Sequence, residues 1–396
     1  MPNRGCARSA CRGISAFCRR RGFDAHAPHG SDHLARGLDP LPASPWSPAS
    51  AGRRCVRRSS VVVTGMRISV ALATYNGARY LEPQLESLAG QTHLPAELVV
   101  GDDGSSDATI EILERFARVA PFPVRISQNP TNRGHGQNFL ETASRCRGDW
   151  IAFCDQDDIW STEKLKRFQH ASIRRPQLDW MVCRNRYVDD RLRTMRRATL
   201  ALSERGNWMP LTSPVRIHDG HRMIFRRWFV DLPWQRRPVS TDGRLITHDR
   251  WLSVIGYLFG HRHFLRDRLT LYRQHQGSVT MQAKAAERSV AVGHRLDARR
   301  DFFAERDRFW SAMEHWCLSL PMDSCAKDEA SAATAARQCR QIAQFYRDRA
   351  RVCDRTLDRQ RRVSAYGVLV QRSGTYAAVF GQPPLIRDLF ALMGTP

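Results

Sequence analysis

The stretch DWIAFCDQDDIW, residues 149–160, opens as an apolar run and closes on Asp155, Asp157 and Asp158, three carboxylates within four positions. Its first half has the length and composition of a buried strand. The acidic half then falls at the strand's carboxyl end, where like charges repel and some partner must hold them.

The sequence before this stretch repeats the same theme. RISVALATY (67–75) is a β-rich run closed by the turn pair Asn76-Gly77. Leu81, Leu85 and Leu88 then recur at helical spacing, with Pro83 acceptable only near the first turn. ELVVGDDG (97–104) is a second strand, and Ser106-Asp107 precede a helix with Ile110, Leu113 and Phe116/Ala117 on its face. VRISQN (124–129) is a third strand. NRGHGQNFLETASRC (132–146) runs from a glycine-rich loop into a helix through Phe139, Ala143 and Cys146. Strands alternating with helices at intervals of about 26–30 residues predict βαβ units and a mainly parallel sheet flanked by helices. Ligands of such sheets bind beyond the carboxyl ends of the strands, which sets Thr74, Tyr75, Asn76, Asp102, Asp103 and the 155–158 cluster along one rim.

Composition bounds the rest. The 396 residues suffice for one large domain or two smaller ones. No apolar run approaches the length of a membrane-spanning helix. The formal charge of +23 is almost wholly arginine, since lysine occurs only at 164, 166, 284 and 327. Such a balance favours anionic partners, whether diphosphates, an acidic membrane surface or nucleic acid, although a solvated basic surface explains it equally well. Eleven irregularly spaced cysteines contain no CxxC pair, which predicts a reducing compartment without a disulfide framework. Cys154 and Cys183, in apolar runs, read as small core residues.

Residues 1–65 hold RRR (19–21), RRCVRR (53–58) and LPASPWSPAS (41–50), with little periodicity and no secretory apolar segment. They are expected to be a disordered extension, and Met66, just before the first strand, is an alternative start. A globular domain is expected over 66–280 and a helical region over 281–396. In that region Phe302, Phe309, Met313 and Trp316, then Ile342, Tyr346, Cys353 and Leu357, mark two long helices, followed by GQPPLIRDLFALMG (381–394).

Three readings compete for the acidic cluster: a solvated turn with Asp158 capping a helix near Thr162, a hydrolytic carboxylate pair, and a site for Mg²⁺ or Mn²⁺ shared with substrate phosphates. Taken together, VALATYNGARYLEPQLESLAGQT (70–92), LVVGDDGSSDAT (98–109), NRGHGQNF (132–139) and GDWIAFCDQDDIW (148–160) resemble the family 2 glycosyltransferases of GT-A fold, and within them the bacterial rhamnosyltransferase-like group. The resemblance extends more weakly through THDRWL (247–252) and LYRQHQGSVT (271–280). It implies an α/β fold of GT-A type with a C-terminal helical appendage, and a nucleoside-diphosphate sugar as donor.

Carried onto this chain, the resemblance gives each residue a role. Thr74, Tyr75 and Asn76 line the nucleotide pocket, and Asp103, with Asp102 beside it, accepts from the base. Arg133 and Gly134 lie near the donor sugar. Asp155 faces ribose or metal, Asp157 binds the metal, and Asp158 supports them. Asp249 is the implied base of an inverting transfer, with His248 orienting it, although a carboxylate at a helix start is also an ordinary cap. His275 is a candidate third metal contact and Arg273 faces the diphosphate. His221-Arg222 in DGHRMIFRR (219–227) depart from the smaller residues of relatives on the acceptor side. Trp228, Trp234 and Trp251 read either as sugar-stacking or as core. The expected acceptor is a glycan or lipid-linked glycan of the cell envelope, reached from the cytoplasm with the basic C-terminal helices against anionic lipid. A basic nucleic-acid-binding protein and an inactive scaffold are the alternatives; no zinc finger, RRM or helix-turn-helix signature supports the former.

Overall fold

The computed structural model describes residues 66–195, 215, 217–239, 245–275, 295–321 and 329–374. The expectations for residues 1–65 and 381–394 fall outside these.

The four sequence-legible units form as expected. Strand β1 (Ile68–Thr74) leads to helix α1 (Ala78–Ala89), β2 (Glu97–Asp102) to α2 (Thr109–Ala117), and β3 (Val124–Gln128) to α3 (His135–Ser144), followed by β4 (Trp150–Asp155). Every residue of β1 and β2 is buried, so these strands read as unbroken apolar runs because helices cover both faces. The pairs β1–β2, β1–β4 and β2–β3 are parallel. Helix α1 starts earlier than its leucines suggested, so Pro83 lies inside it rather than in its first turn.

The remaining half differs from a mainly parallel sheet. β5 (Ile159–Trp160), α4 (Lys164–Arg174), β6 (Trp180–Val188), β7 (Met223–Arg226), the single turn α5 (Trp228–Asp231), α6 (His248–Phe259) and β8 (Arg262–Arg273) complete an eight-stranded mixed sheet of order β3-β2-β1-β4-β7-β6-β8-β5. β7 is antiparallel to both β4 and β6, β5 is antiparallel to β8, and β6 is parallel to β8. β8 crosses behind the acidic cluster and delivers Arg273, with His275 just beyond it, to the same rim as β4.

Helices α7 (Arg295–Leu318) and α8 (Glu329–Cys353) form the expected C-terminal pair, and a third, α9 (Arg359–Gln371), follows. Leu357 lies past the end of α8, in the turn between α8 and α9. The pair is not a loose appendage. Trp310, Met313, Trp316, Ile342 and Tyr346 belong to one continuous apolar core with Trp251 and Ile255 of α6, and the described residues from Arg67 onward belong to one compact unit. Trp251 meets Trp316 edge-on at 4.7 Å. Trp251 and Trp234 are buried, which selects the core reading for both, while Trp228 packs on Phe229 and donates to Asp179. The six described cysteines are buried. Among the described residues no helix is long and apolar enough to cross a membrane.

Candidate active site

A cleft of about 400 Å³ opens at the carboxyl ends of β1, β2 and β4, lined by Thr74, Tyr75, Asp103, Asp155, Asp157 and His275. His221, His248 and Asp249 line it as well. Each carboxylate of the acidic cluster has its own partner. His275 Nε2 lies 2.8 Å from Asp157 Oδ2, and His221 Nδ1 lies 3.1 Å from Asp155 Oδ2. Asp158 is fully buried and accepts from the Arg273 backbone N–H at 3.2 Å, so it does not cap the helix after it, whose first residue is Lys164. Gln156, between them, clasps the end of β1: its amide accepts from Tyr75 N–H at 2.9 Å and donates to Tyr75 C=O at 3.0 Å. A β-carbon on Gly77 would come within 2.2 Å of that amide, so the glycine is required by the clasp.

His221 was the residue that sequence reasoning misplaced. It is buried, stacks on Tyr272 at 4.5 Å, and has Asn185 Nδ2 2.8 Å from its Nε2. Burial pulls its pKa down, but the Asp158 charge and the Asp155 hydrogen bond outweigh it and leave the pKa raised. For Asp155 the sign reverses: burial opposes ionisation, and the His221 bond and charge more than compensate, lowering its pKa. Asp158 is pushed well above the usual carboxylate range by burial, with Asp157 and Asp155 adding to the effect. Asp155, Asp158 and His221 are also the group of potential metal ligands whose atoms lie within 4.8 Å of one another among the described residues.

Lys164 lies beneath the cluster, fully buried. Its Nζ donates to His221 C=O at 2.7 Å and to Thr270 Oγ1 at 2.9 Å, and sits 3.6 Å from the Trp160 ring centroid. An available signal was that lysine survives here in a chain otherwise built with arginine. A compact ammonium fits between a carbonyl, a hydroxyl and a ring face where a planar guanidinium does not.

Several residues expected in the cleft serve its walls instead. Asp102 is consumed in the turn after β2, accepting from Thr74 Oγ1 at 2.8 Å and from Ser105 N–H at 2.8 Å. Asn76 faces the same turn, its side-chain oxygen accepting from Ser106 N–H. The Arg133 guanidinium pairs with Glu141 at 2.9 Å, away from the cleft, while the backbone N–H groups of Arg133 and Gly134 donate to Asp103. Arg273 donates to the carbonyls of Asp157 and Asp190, both at 2.8 Å, and so props Asp157 from behind. His248 makes no hydrogen bond to Asp249 among the described residues. Its ring stacks on Phe139 at 4.2 Å and meets Phe153 edge-on at 5.0 Å. Asp249 is the second residue of α6, accepting from the Thr247 hydroxyl, and Thr247 holds the N-cap position.

Burial depresses the His248 pKa to about 4. An unfolded chain takes up its proton near pH 6.5, the folded one only near 4, so this residue's contribution is full above the higher value and is lost as pH falls through the window between them. The difference corresponds to about 3 kcal/mol. The thermal midpoint of His248→Leu should therefore depend less steeply on pH between 6.5 and 4 than that of the native chain; parallel curves in a pH-resolved melting series would contradict this.

A parallel βαβ half whose strand ends carry a carboxylate-lined cleft, closed by a mixed half bearing a second acidic side chain, defines an α/β protein of GT-A type. Residues 69–232 match the family model described as Glycosyl transferase family 2. An uncharacterized glycosyltransferase of Nostoc sp. is 38% identical over 103 residues, 26% of this chain and 31% of the relative. The dTDP-rhamnosyl transferase RfbG of Shigella flexneri is 35% identical over 99 residues, 24% of this chain and 34% of the relative. The chain thus spans about a third of the length of these curated relatives. Among solved structures, S. aureus TarS 1-349 in complex with UDP-GlcNAc superposes with a TM-score of 0.42 at 20% identity, over 71% of this chain and 92% of that one.

Proposed function

We propose that the protein is an inverting, metal-dependent glycosyltransferase that moves a sugar from a nucleoside-diphosphate donor to a glycan or lipid-linked acceptor of the cell envelope. Rhamnose is the first sugar to test, because the Shigella relative is named for it. The observation that carries the reading is the convergence of Asp103, Asp155, Asp157, His275 and Asp249 on one cleft from four separate segments.

In this reading Asp103 receives the base at the closed end of the cleft. It already accepts from Asn129 and from the N–H groups of Arg133 and Gly134, which fix its orientation. Asp155, Asp157 and His275 would hold Mg²⁺ or Mn²⁺. Carboxylate oxygens with one imidazole suit such a cation, and they face the cleft, unlike buried Asp158. A bound cation would supply Lewis-acid stabilisation of the departing diphosphate. Asp249 takes the proton of the acceptor hydroxyl, and Thr247 and the start of α6 hold its carboxylate. His248, neutral at physiological pH, walls the cleft beside it. The basic chain suits work at the cytoplasmic face of a membrane, where lipid-linked acceptors are held.

A thermal-shift screen of nucleotide sugars tests the reading. A donor at a hundred times its Kd raises stability by about 2.7 kcal/mol. The native chain should show an increment that requires Mn²⁺, Asp157→Asn should lose the manganese-dependent part, and a complete absence of response from every donor would reject the function.

A further inference from the structure

A second cavity, about 690 Å³, lies next to the cleft and is lined by Arg133, Gln137, Arg237, Thr247 and Arg250, among others. His135 lines both spaces. Along the first turn of α6 the two are divided between neighbours: Asp249 lines the cleft and Arg250 lines the second cavity.

The second cavity is positive in three independent ways. Arg237 is only 3% exposed, yet it donates to Ile246 C=O at 2.8 Å, Trp234 C=O at 3.1 Å and the Gln137 side-chain oxygen at 3.1 Å. All three acceptors are neutral, and no carboxylate among the described residues pairs with this guanidinium. Burial lowers its pKa to about 10, which still leaves it charged at neutral pH. A buried charge without a counter-charge is costly to hold. Arg250 lies over the Phe309 ring at 4.3 Å, and its guanidinium has no hydrogen-bond partner among the described residues. Its charged neighbours are Asp249, Glu305 and Arg306.

The third contribution comes from the backbone. Helices α3 and α6 bring their N-termini together: a β-carbon on Gly136 would stand 3.3 Å from Thr247 Cα and 3.5 Å from His248 N. Neither N-terminus is capped by a side chain. Two positive helix ends side by side repel; Asp249 accepts from the Arg250 N–H at 2.7 Å, and the remaining first-turn amides suit an oxyanion.

We propose that this cavity binds a phosphate group of the acceptor, held by Arg237, Arg250 and the N-terminal amides of α3 and α6, so that the acceptor's hydroxyl meets Asp249. The assignment to acceptor rather than donor rests on the reading of Asp249 as base, because the donor's diphosphate is read at Asp157 and His275, which line the cleft and not the second cavity. The ligand is then a phosphate ester whose phosphate lies close to the sugar being extended.

Calorimetry on the full chain with metal removed tests this, using orthophosphate, glycerol 3-phosphate and farnesyl phosphate as probes. Saturable binding of farnesyl phosphate is expected, with orthophosphate competing for the same site. Arg250→Gln should weaken it at least ten-fold, Arg250→Lys should recover part, and Asp157→Asn should leave it unchanged. Farnesyl phosphate binding more tightly than glycerol 3-phosphate identifies a lipid-linked source, and equal affinities a soluble phosphate ester; both outcomes keep the site. Amide NMR shifts on the native chain read the site without any variant: Gly136, Thr247 and Arg250 should move, and Tyr75 and Asp157 should not. Failure to bind phosphate, or the reverse pattern of shifts, overturns the proposal. Phosphate binding that persists while no nucleotide sugar binds with Mn²⁺ would instead sink the functional reading and spare the site.

Discussion

Asp249→Asn should lower turnover by about two to four orders of magnitude, the range usual for loss of a positioned general base. Asparagine keeps the size and the hydrogen bond with Thr247 but cannot accept the acceptor's proton. Because Asp249 is not among the residues read as holding the cation or the donor, manganese-dependent donor binding should survive. The paired measurement is steady-state kinetics beside donor titration. A large loss in kcat with donor affinity retained supports the assignment, and near-native turnover removes Asp249 from the chemistry.

Lys164→Met should destabilise the fold by about 3 kcal/mol, within the range for removing one member of a buried charged network. Methionine fills the space but strands the carbonyl of His221 and the hydroxyl of Thr270, which Lys164 now satisfies. It also withdraws a positive charge from beneath Asp155 and Asp158. Lys166→Met, two residues on and 41% exposed at its side chain, is the control and should change stability by less than about 0.5 kcal/mol. Urea denaturation of the two variants decides it: equal midpoints would mean that the ammonium under the acidic cluster has no net structural role.

Both predictions show where sequence reasoning reached and where it stopped. The parallel half was legible because β1, β2 and β4 are mostly apolar and each ends in a polar signature, so pattern and chemistry coincide. β8 was not, since RHFLRDRLTLYR carries Arg266, Asp267 and Arg268 in succession and reads as a polar segment until β6, some eighty residues earlier, lies beside it. β7 has four residues, too few for any periodicity. The carboxylates at the rim stood out by their crowding. What neutralises them did not: His221, Lys164 and Arg273 come from the turn before β7, from α4 and from β8 respectively, and only tertiary folding brings them together. Asp102 and Asn76 fail in the opposite direction. They sit in motif positions, yet the fold spends their hydrogen-bonding capacity on shaping the turn at Gly104–Ser106.

The packing of α7 and α8 onto α6 has a consequence for engineering. The helix that presents Asp249 has its back to Trp310 and Trp316, so the reacting edge of the molecule is braced by residues more than fifty positions downstream. A hybrid that exchanges only residues 69–232 would keep α6 with its native buttress and set both against a foreign parallel half. Swaps meant to alter sugar or acceptor preference should carry α6 and its C-terminal buttress as a single cassette.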